Sequence, residues 1–262
     1  MIPAVYSQLE VQLSILLLAM LRPVSALIAA PFFSALQIPV QLRILIAVAI
    51  GLPANSVIHS ALPMLHLLSL EGLMMVLSEI VIGIVIGFTL QMAYSSALMA
   101  GEMISSAMGL SFSASIDPVN GSASVALSTF FSISATLLLL FTGGHLAFIE
   151  LIYDSYALLP AGGTHISFDM IYRATTYGTK LFVFGITISL PIVSCLILIQ
   201  LLVGILSRSA PQLNLFSLSL PLTVLAGLML LVIGMPAIAD GISSALSDGL
   251  DQARVTLSGS AG

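Results

Sequence analysis

Few residues in this chain could carry chemistry, so the first question is whether any of them stand at catalytic or ligating spacing. The four histidines, His59, His66, His145 and His165, form no His-Glu-x-x-His pair, and none stands at metal-ligand spacing from a carboxylate. Ser111, within Gly109-Leu110-Ser111-Phe112, could act with His145 as nucleophile and base of an intramembrane serine protease. The second glycine usual after such a serine is missing and no orienting group stands out, so the pattern argues against catalysis. The single cysteine, Cys195, lies in an apolar run and cannot build a disulfide framework or a multi-cysteine metal site. Neither enzymatic activity nor a metal or cofactor is expected. What remains is ionisable residues inside apolar runs, which are costly unless paired or hydrated. Arg22 and Glu79 are the clear cases. They could pair with one another, bind neighbouring subunits, or line a path for protons or a polypeptide.

The elements that position these residues follow from composition. Of 262 residues 59% are hydrophobic and only 6% charged, where a soluble domain carries about a quarter charged. So few polar groups cannot cover a globule of this size, and the surroundings must be mostly lipid or other protein. A net charge of −5 without a basic cluster gives no footprint for nucleic acid and no polybasic membrane anchor. Met1 to Glu10 lacks the basic region and small-residue cleavage site of a secretory signal, and is expected to stay in the mature chain.

An all-α membrane protein is therefore expected. Six apolar helical segments, near 11–33, 40–58, 72–98, 123–150, 180–206 and 213–239, approach the roughly 18 to 25 residues that cross a bilayer core. The second is short and holds Pro53; the fourth runs too long for one crossing and should break at Gly143-Gly144-His145. Pro23, Pro191, Pro221 and Pro236 lie in or beside spans, so these helices must be kinked and packed where neighbours satisfy the freed carbonyls. Gly83-Ile84-Val85-Ile86-Gly87, and more loosely Ala26 to Ala30, suit close helix approach. Arg22, Arg43 and Arg208 fall on one side and Arg173, Lys180 and Arg254 on the other. That even split gives no positive-inside signal.

Residues 99–122 are small, hydroxylated and turn-forming, with isolated bulky side chains between. Irregular backbone at membrane depth survives only buried in protein or along an aqueous path. The segment reads as a pore loop or as an ordinary connector. Phe112 and Leu110 are its candidate plug residues. Just before it, Met92, Met99 and Met103 share one helical face at intervals of seven and four. Adaptable methionines suit a seal around varied side chains, or plain core packing. Ser207 to Phe216 forms a tight hairpin, with Pro211 ending a helix and Gln212 and Asn214 satisfying exposed backbone. Asp240 to Arg254 reads as a mildly amphipathic acidic tail.

In this order the pieces resemble the FliR/SctT family of type III export gate proteins over nearly the whole chain. The resemblance is carried by Arg22 with Ala30-Pro31-Phe32-Phe33, Ile38-Pro39 followed by Arg43, Gly101-Glu102, Met108-Gly109-Leu110-Ser111-Phe112 leading to Asp117-Pro118, Gly144-His145 and Pro160. Its strongest element is Ala210-Pro211-Gln212-Leu213-Asn214-Leu215-Phe216, with Pro221 after it. The Gly-Leu-Ser-Phe and Asp-Pro wording leans flagellar, and injectisome relatives share the Pro-Gln-Leu-Asn run.

The resemblance implies a subunit of a helical cone built with FliP-like and FliQ-like chains, alongside FlhA-like and FlhB-like export proteins and a surrounding basal-body ring. Residues 1–170 would be a FliP-like part and 171–262 a FliQ-like hairpin with the acidic tail. A plug loop would occupy Gly109, Leu110, Ser111, Phe112, Ser113, Asp117 and Pro118, closing a passage for unfolded rod, hook and filament subunits. The implied site is the bacterial inner membrane within the flagellar basal body, displaced toward the periplasm. A small-solute secondary transporter would also use broken helices, but no match between halves marks an internal repeat.

Overall fold

The computed structural model describes residues 2–31, 39–58, 69–110, 123–161, 163, 167–209 and 215–259. Among them there are seven helices and no strands: α1 (Ile2–Ala29), α2 (Val40–Ile58), α3 (Leu70–Ala107), α4 (Ala123–Phe141), α5 (Gly144–Leu158), α6 (Phe168–Ser209) and α7 (Leu215–Ser258). The protein is all-helical, as its apolar runs require. Of the described helices, three are long and apolar enough to cross a membrane: Leu70–Ala107, Phe168–Leu206 and Ser219–Ser258. The broken α4–α5 pair makes a fourth stretch, while Ile15–Ala29 and Ile44–Pro53 are shorter apolar helices. The described helices thus bear out an all-helical apolar fold of three long helices, one bent pair and two shorter apolar helices, where six comparable segments are expected.

The long apolar run breaks at Thr142–Gly143, where Gly143 adopts φ +74°. A side chain at that φ is strained, so glycine is the residue that allows the turn. Two boundaries differ from expectation. Residues 99–107 belong to α3, not to a loop. Their small side chains serve close packing: a methyl group on Gly101 would lie 3.0 Å from Ser128 Cα and 3.1 Å from the Phe131 ring. Asp240 to Arg254 continues α7 without a break. Ile242, Ala245, Leu246, Leu250, Ala253 and Leu257 recur at helical intervals and are all buried, so this is packed helix and not a tail.

Contacts divide the chain into two compact units, Met1–Met92 with Gly143–Gly178 and Ser247–Gly262, and Ala93–Thr142 with Thr179–Leu246. In the first, Gly83 and Gly87 of α3 lie against the α1 backbone from Arg22 to Ala30; a Cβ at either glycine would overlap Arg22 O or Ala26 O. The GxxxG pair and the Ala26–Ala30 pair therefore meet each other, which brings the two helices into backbone contact. α2 closes on α1 at Gly51, over Ala19 and Met20. α5 ties both down: Tyr153 donates to Ile50 O at 2.7 Å, and Tyr156 donates to Ala19 O at 2.9 Å. Ala19 O is the carbonyl that Pro23, lacking an N–H, leaves without a helical partner. The buried phenol thus satisfies the group the proline frees.

In the second unit the end of α3 pairs antiparallel with α4. Tyr94 Oη lies 2.7 Å from Ser132 Oγ and 3.0 Å from Thr136 Oγ1. α6 and α7 pack antiparallel across Ile188 with Gly241 and Ile192 with Gly234. Their outward side is apolar, with Phe182, Val183, Leu190, Leu198, Leu202 and Leu206 of α6 and Leu225, Val232 and Ile233 of α7 exposed.

Candidate functional site

The expected plug begins where α3 ends, and that end is closed group by group. Met108 N–H donates to Ile104 O at 2.9 Å, Gly109 N–H to Ser106 O at 3.0 Å and Leu110 N–H to Ser105 O at 3.1 Å. With Gly109 at φ +81°, this is a Schellman cap with glycine at the left-handed position. It leaves the carbonyls of Ala107 and Met108, orphans of the helix terminus. Gln200 of α6 donates from Nε2 to Ala107 O at 2.7 Å, and Thr223 of α7 donates from Oγ1 to Met108 O at 3.2 Å. Every carbonyl from Ile104 to Ala107 therefore has a donor, and Met108 O shares the Thr223 hydroxyl proton with Ser219 O and Leu220 O.

Of the residues expected in the plug, Gly109 and Leu110 close the end of α3, and Leu220 of α7 lies beside Gly109. Ser111, Phe112, Ser113, Asp117 and Pro118 lie outside the described residues. So do Pro211, Gln212 and Asn214 of the hairpin motif and the side chain of Phe216; α6 ends at Ser209 and α7 begins at Leu215.

The three methionines meet one helix. A methyl group on Gly178 would lie 3.9 Å from Met92 Sδ and one on Gly185 3.0 Å from Met99 Sδ, while Ser189 Oγ donates to Met103 Sδ at 3.4 Å. The same sequence interval separates each pair, so α3 and α6 run parallel with methionines seated over small residues. Met108 continues the pattern against Gly227 of α7.

The other constellation is the buried charge pair in the first unit. Arg22 and Glu79 are both fully buried. Arg22 Nε donates to Glu79 Oε2 at 2.8 Å and Nη2 to Oε1 at 3.0 Å, a two-pronged guanidinium–carboxylate bond. Nη2 also donates to Leu159 O and Nη1 to Ser155 Oγ, both at 3.0 Å. Ser155 in turn donates to Ile152 O at 2.6 Å. The Tyr156 ring covers the guanidinium, 4.1 Å from its centre. Of the alternatives open to these charges, pairing within the chain is the one observed. The geometry gives both ions hydrogen-bond partners within the protein, which a buried pair requires.

His145 stands at the start of α5 with its Nδ1 buried and no hydrogen-bond partner among the described residues. No described group of three or more His, Cys, Asp or Glu could hold a metal. Gln200, Thr223, Ser155 and Tyr156 were not singled out by the sequence. An amide inside Leu196-Ile197-Leu198-Ile199-Gln200-Leu201-Leu202 is a readable signal, because such a group in an apolar run needs a partner; the other three look like ordinary helix residues.

Residues 13–249 match the family described as bacterial export proteins, family 1. The flagellar biosynthetic protein FliR of Escherichia coli K12 is 34% identical over 226 residues, covering 84% of this chain and 84% of that protein. FliR of Aquifex aeolicus is 30% identical over 234 residues, 89% of this chain and 90% of its own length. The surface presentation of antigens protein SpaR of Shigella flexneri is 32% identical over 155 residues, 59% of this chain and 60% of its own. The chain belongs to family 1 of the bacterial export proteins, together with the FliR proteins, and is a membrane component of a type III export apparatus.

Proposed function

We propose that this chain is a channel-forming subunit of the flagellar type III export gate, and that residues 109–118 plug its passage until an unfolded polypeptide is threaded through. One observation supports the reading: the stretch that looks like a pore loop follows a helix end whose carbonyls from Ile104 to Ala107 each have a donor, with the Thr223 hydroxyl in reach of Met108 O. A loop with a fixed root can be held in one place without a wall of its own. FliP-like and FliQ-like subunits would cover the exposed apolar side chains of α6 and α7, which a lone chain leaves bare.

α3, α6 and α7 have 38, 42 and 44 residues and so extend about 57 to 66 Å. That is roughly twice a bilayer core. A cone standing partly on the periplasmic side of the inner membrane, inside the basal-body ring, accommodates such lengths. In this reading 1–170 is the FliP-like part and 171–262 the FliQ-like hairpin. Rod, hook and filament subunits would be pushed through by the export machinery, with FlhA-like and FlhB-like proteins among its partners, using proton-motive force. Met92, Met99 and Met103 would be either part of the seal or packing between α3 and α6, and their seats over Gly178, Gly185 and Ser189 favour packing. No bond is made or broken by this chain.

Deleting Ser111 to Ser115 should leave an assembled gate that leaks ions or small solutes. Unchanged permeability in an assembled deletion mutant would remove the plug assignment. An injectisome gate subunit is the second reading, favoured by the similarity to SpaR. Complementation separates them, since motility should return to a strain lacking its flagellar subunit only if the flagellar reading holds.

A further inference from the structure

We propose that Gln200 and Thr223, one on each helix of the C-terminal hairpin, are positioning residues that fix the direction in which the chain leaves α3. The argument is an accounting of carbonyls. A helix ends with four C=O groups that lack intrahelical donors. Here Met108 N–H makes the last helical bond, to Ile104 O, and the glycine cap at Gly109 returns N–H groups to Ser105 and Ser106 and no further. Ala107 O and Met108 O receive no N–H from the cap, and the donors that reach them come from α6 and α7.

Gln200 is the stronger of the two. Its amide is the polar group of an otherwise aliphatic run, and at 2.7 Å from Ala107 O it has found the acceptor that such a group needs. Thr223 has one proton, and Ser219 O and Leu220 O of its own helix, each at 3.0 Å, compete with Met108 O at 3.2 Å. Its contribution is therefore the smaller, and it is strengthened by burial.

The consequence is mechanical. α6 and α7 hold the last turn of α3 by directional bonds, so a shift of either hairpin helix is felt at Gly109 and Leu110. For its effect on permeability this inference rests on the plug reading; for its effect on the helix end it does not. The test keeps the two apart.

The experiment uses the assembled gate with all its partner chains, comparing wild type, Gln200→Met, Thr223→Val, the double variant and Thr223→Ser. Methionine keeps the unbranched length of glutamine and valine the shape of threonine, while each loses its donor. Amide hydrogen exchange is read at Gly109 and Leu110, whose N–H groups close the cap, and at Tyr94 to Ala100 as an internal control. Ion permeability is measured on the same complexes in vesicles.

Gln200→Met should speed exchange at Gly109 and Leu110 by about fivefold and the double variant by roughly tenfold or more. The control amides should not change, and Thr223→Ser should stay near wild type. Unchanged exchange at Gly109 and Leu110 in the double variant overturns the proposal. Loss of protection spread equally over Tyr94 to Ala100 also overturns it, since the residues would then be general packing. Faster exchange with a matching leak supports both inferences. Faster exchange without a leak supports the anchoring of the helix end and contradicts the plug.

Discussion

Removing one member of the Arg22–Glu79 pair leaves a bare ion in a place built to exclude water. Both side chains are fully buried, and the guanidinium spends its donors on Glu79, Ser155 Oγ and Leu159 O. Glu79→Gln keeps the shape but strands the positive charge. Breaking a buried pair in this way costs about 3–5 kcal/mol, or roughly two to three and a half orders of magnitude in the folded population. Arg22→Glu should be worse, because it sets two carboxylates face to face with Leu159 O. Combining Arg22→Glu with Glu79→Arg restores opposite charges, but Leu159 O and the Tyr156 ring now face a carboxylate where a guanidinium stood. The rescue should therefore be partial, better than either reversal and short of wild type. The assay is a double-mutant cycle on the thermal stability of the assembled complex, with export-dependent motility measured in parallel. Additive defects, with no interaction energy between positions 22 and 79, would refute the reasoning.

Three further outcomes follow from single contacts. Gly83→Ala should force α3 off α1, because its Cβ would overlap Ser25 and the Arg22 carbonyl; a loss of about 1–3 kcal/mol is expected, read as a lower melting temperature of the complex. Tyr156→Phe should cost about 1–3 kcal/mol by leaving Ala19 O without a donor. Adding Pro23→Ala, which returns an N–H to that carbonyl, should recover part of the loss. Gly109→Ala should lower protection of the Leu110 amide severalfold, since φ +81° strains any side chain, and equal exchange in wild type and variant would contradict the cap.

What could be read in the sequence and what could not have physical reasons. Helical class, apolar segments and the break at Gly143 follow from hydropathy and glycine, which act locally. The pairing of Arg22 with Glu79 was legible as one of three possibilities, because two opposite charges in apolar runs need partners, but their company of Ser155, Leu159 O and Tyr156 depends on how α5 packs. The helical state of 99–107 was hidden because Ala100, Gly101, Ser105 and Ser106 carry the composition of a loop. Close packing against Phe131, Ser128 and α6 overrides that local preference. The C-terminal segment reads as a tail for a similar reason: Asp240, Asp248 and Asp251 dilute a buried stripe of regular spacing. Gln200 shows the opposite case, a lone polar residue whose partner no local pattern could name.

The most direct test of the account places a photo-crosslinking amino acid at position 112, replacing Phe112, in a complete export apparatus stalled with a partly folded cargo in transit. The account predicts a light-dependent adduct between this chain and the threaded cargo, absent when no cargo is engaged. Adducts with lipid or gate neighbours alone, unchanged by stalled cargo, would contradict it.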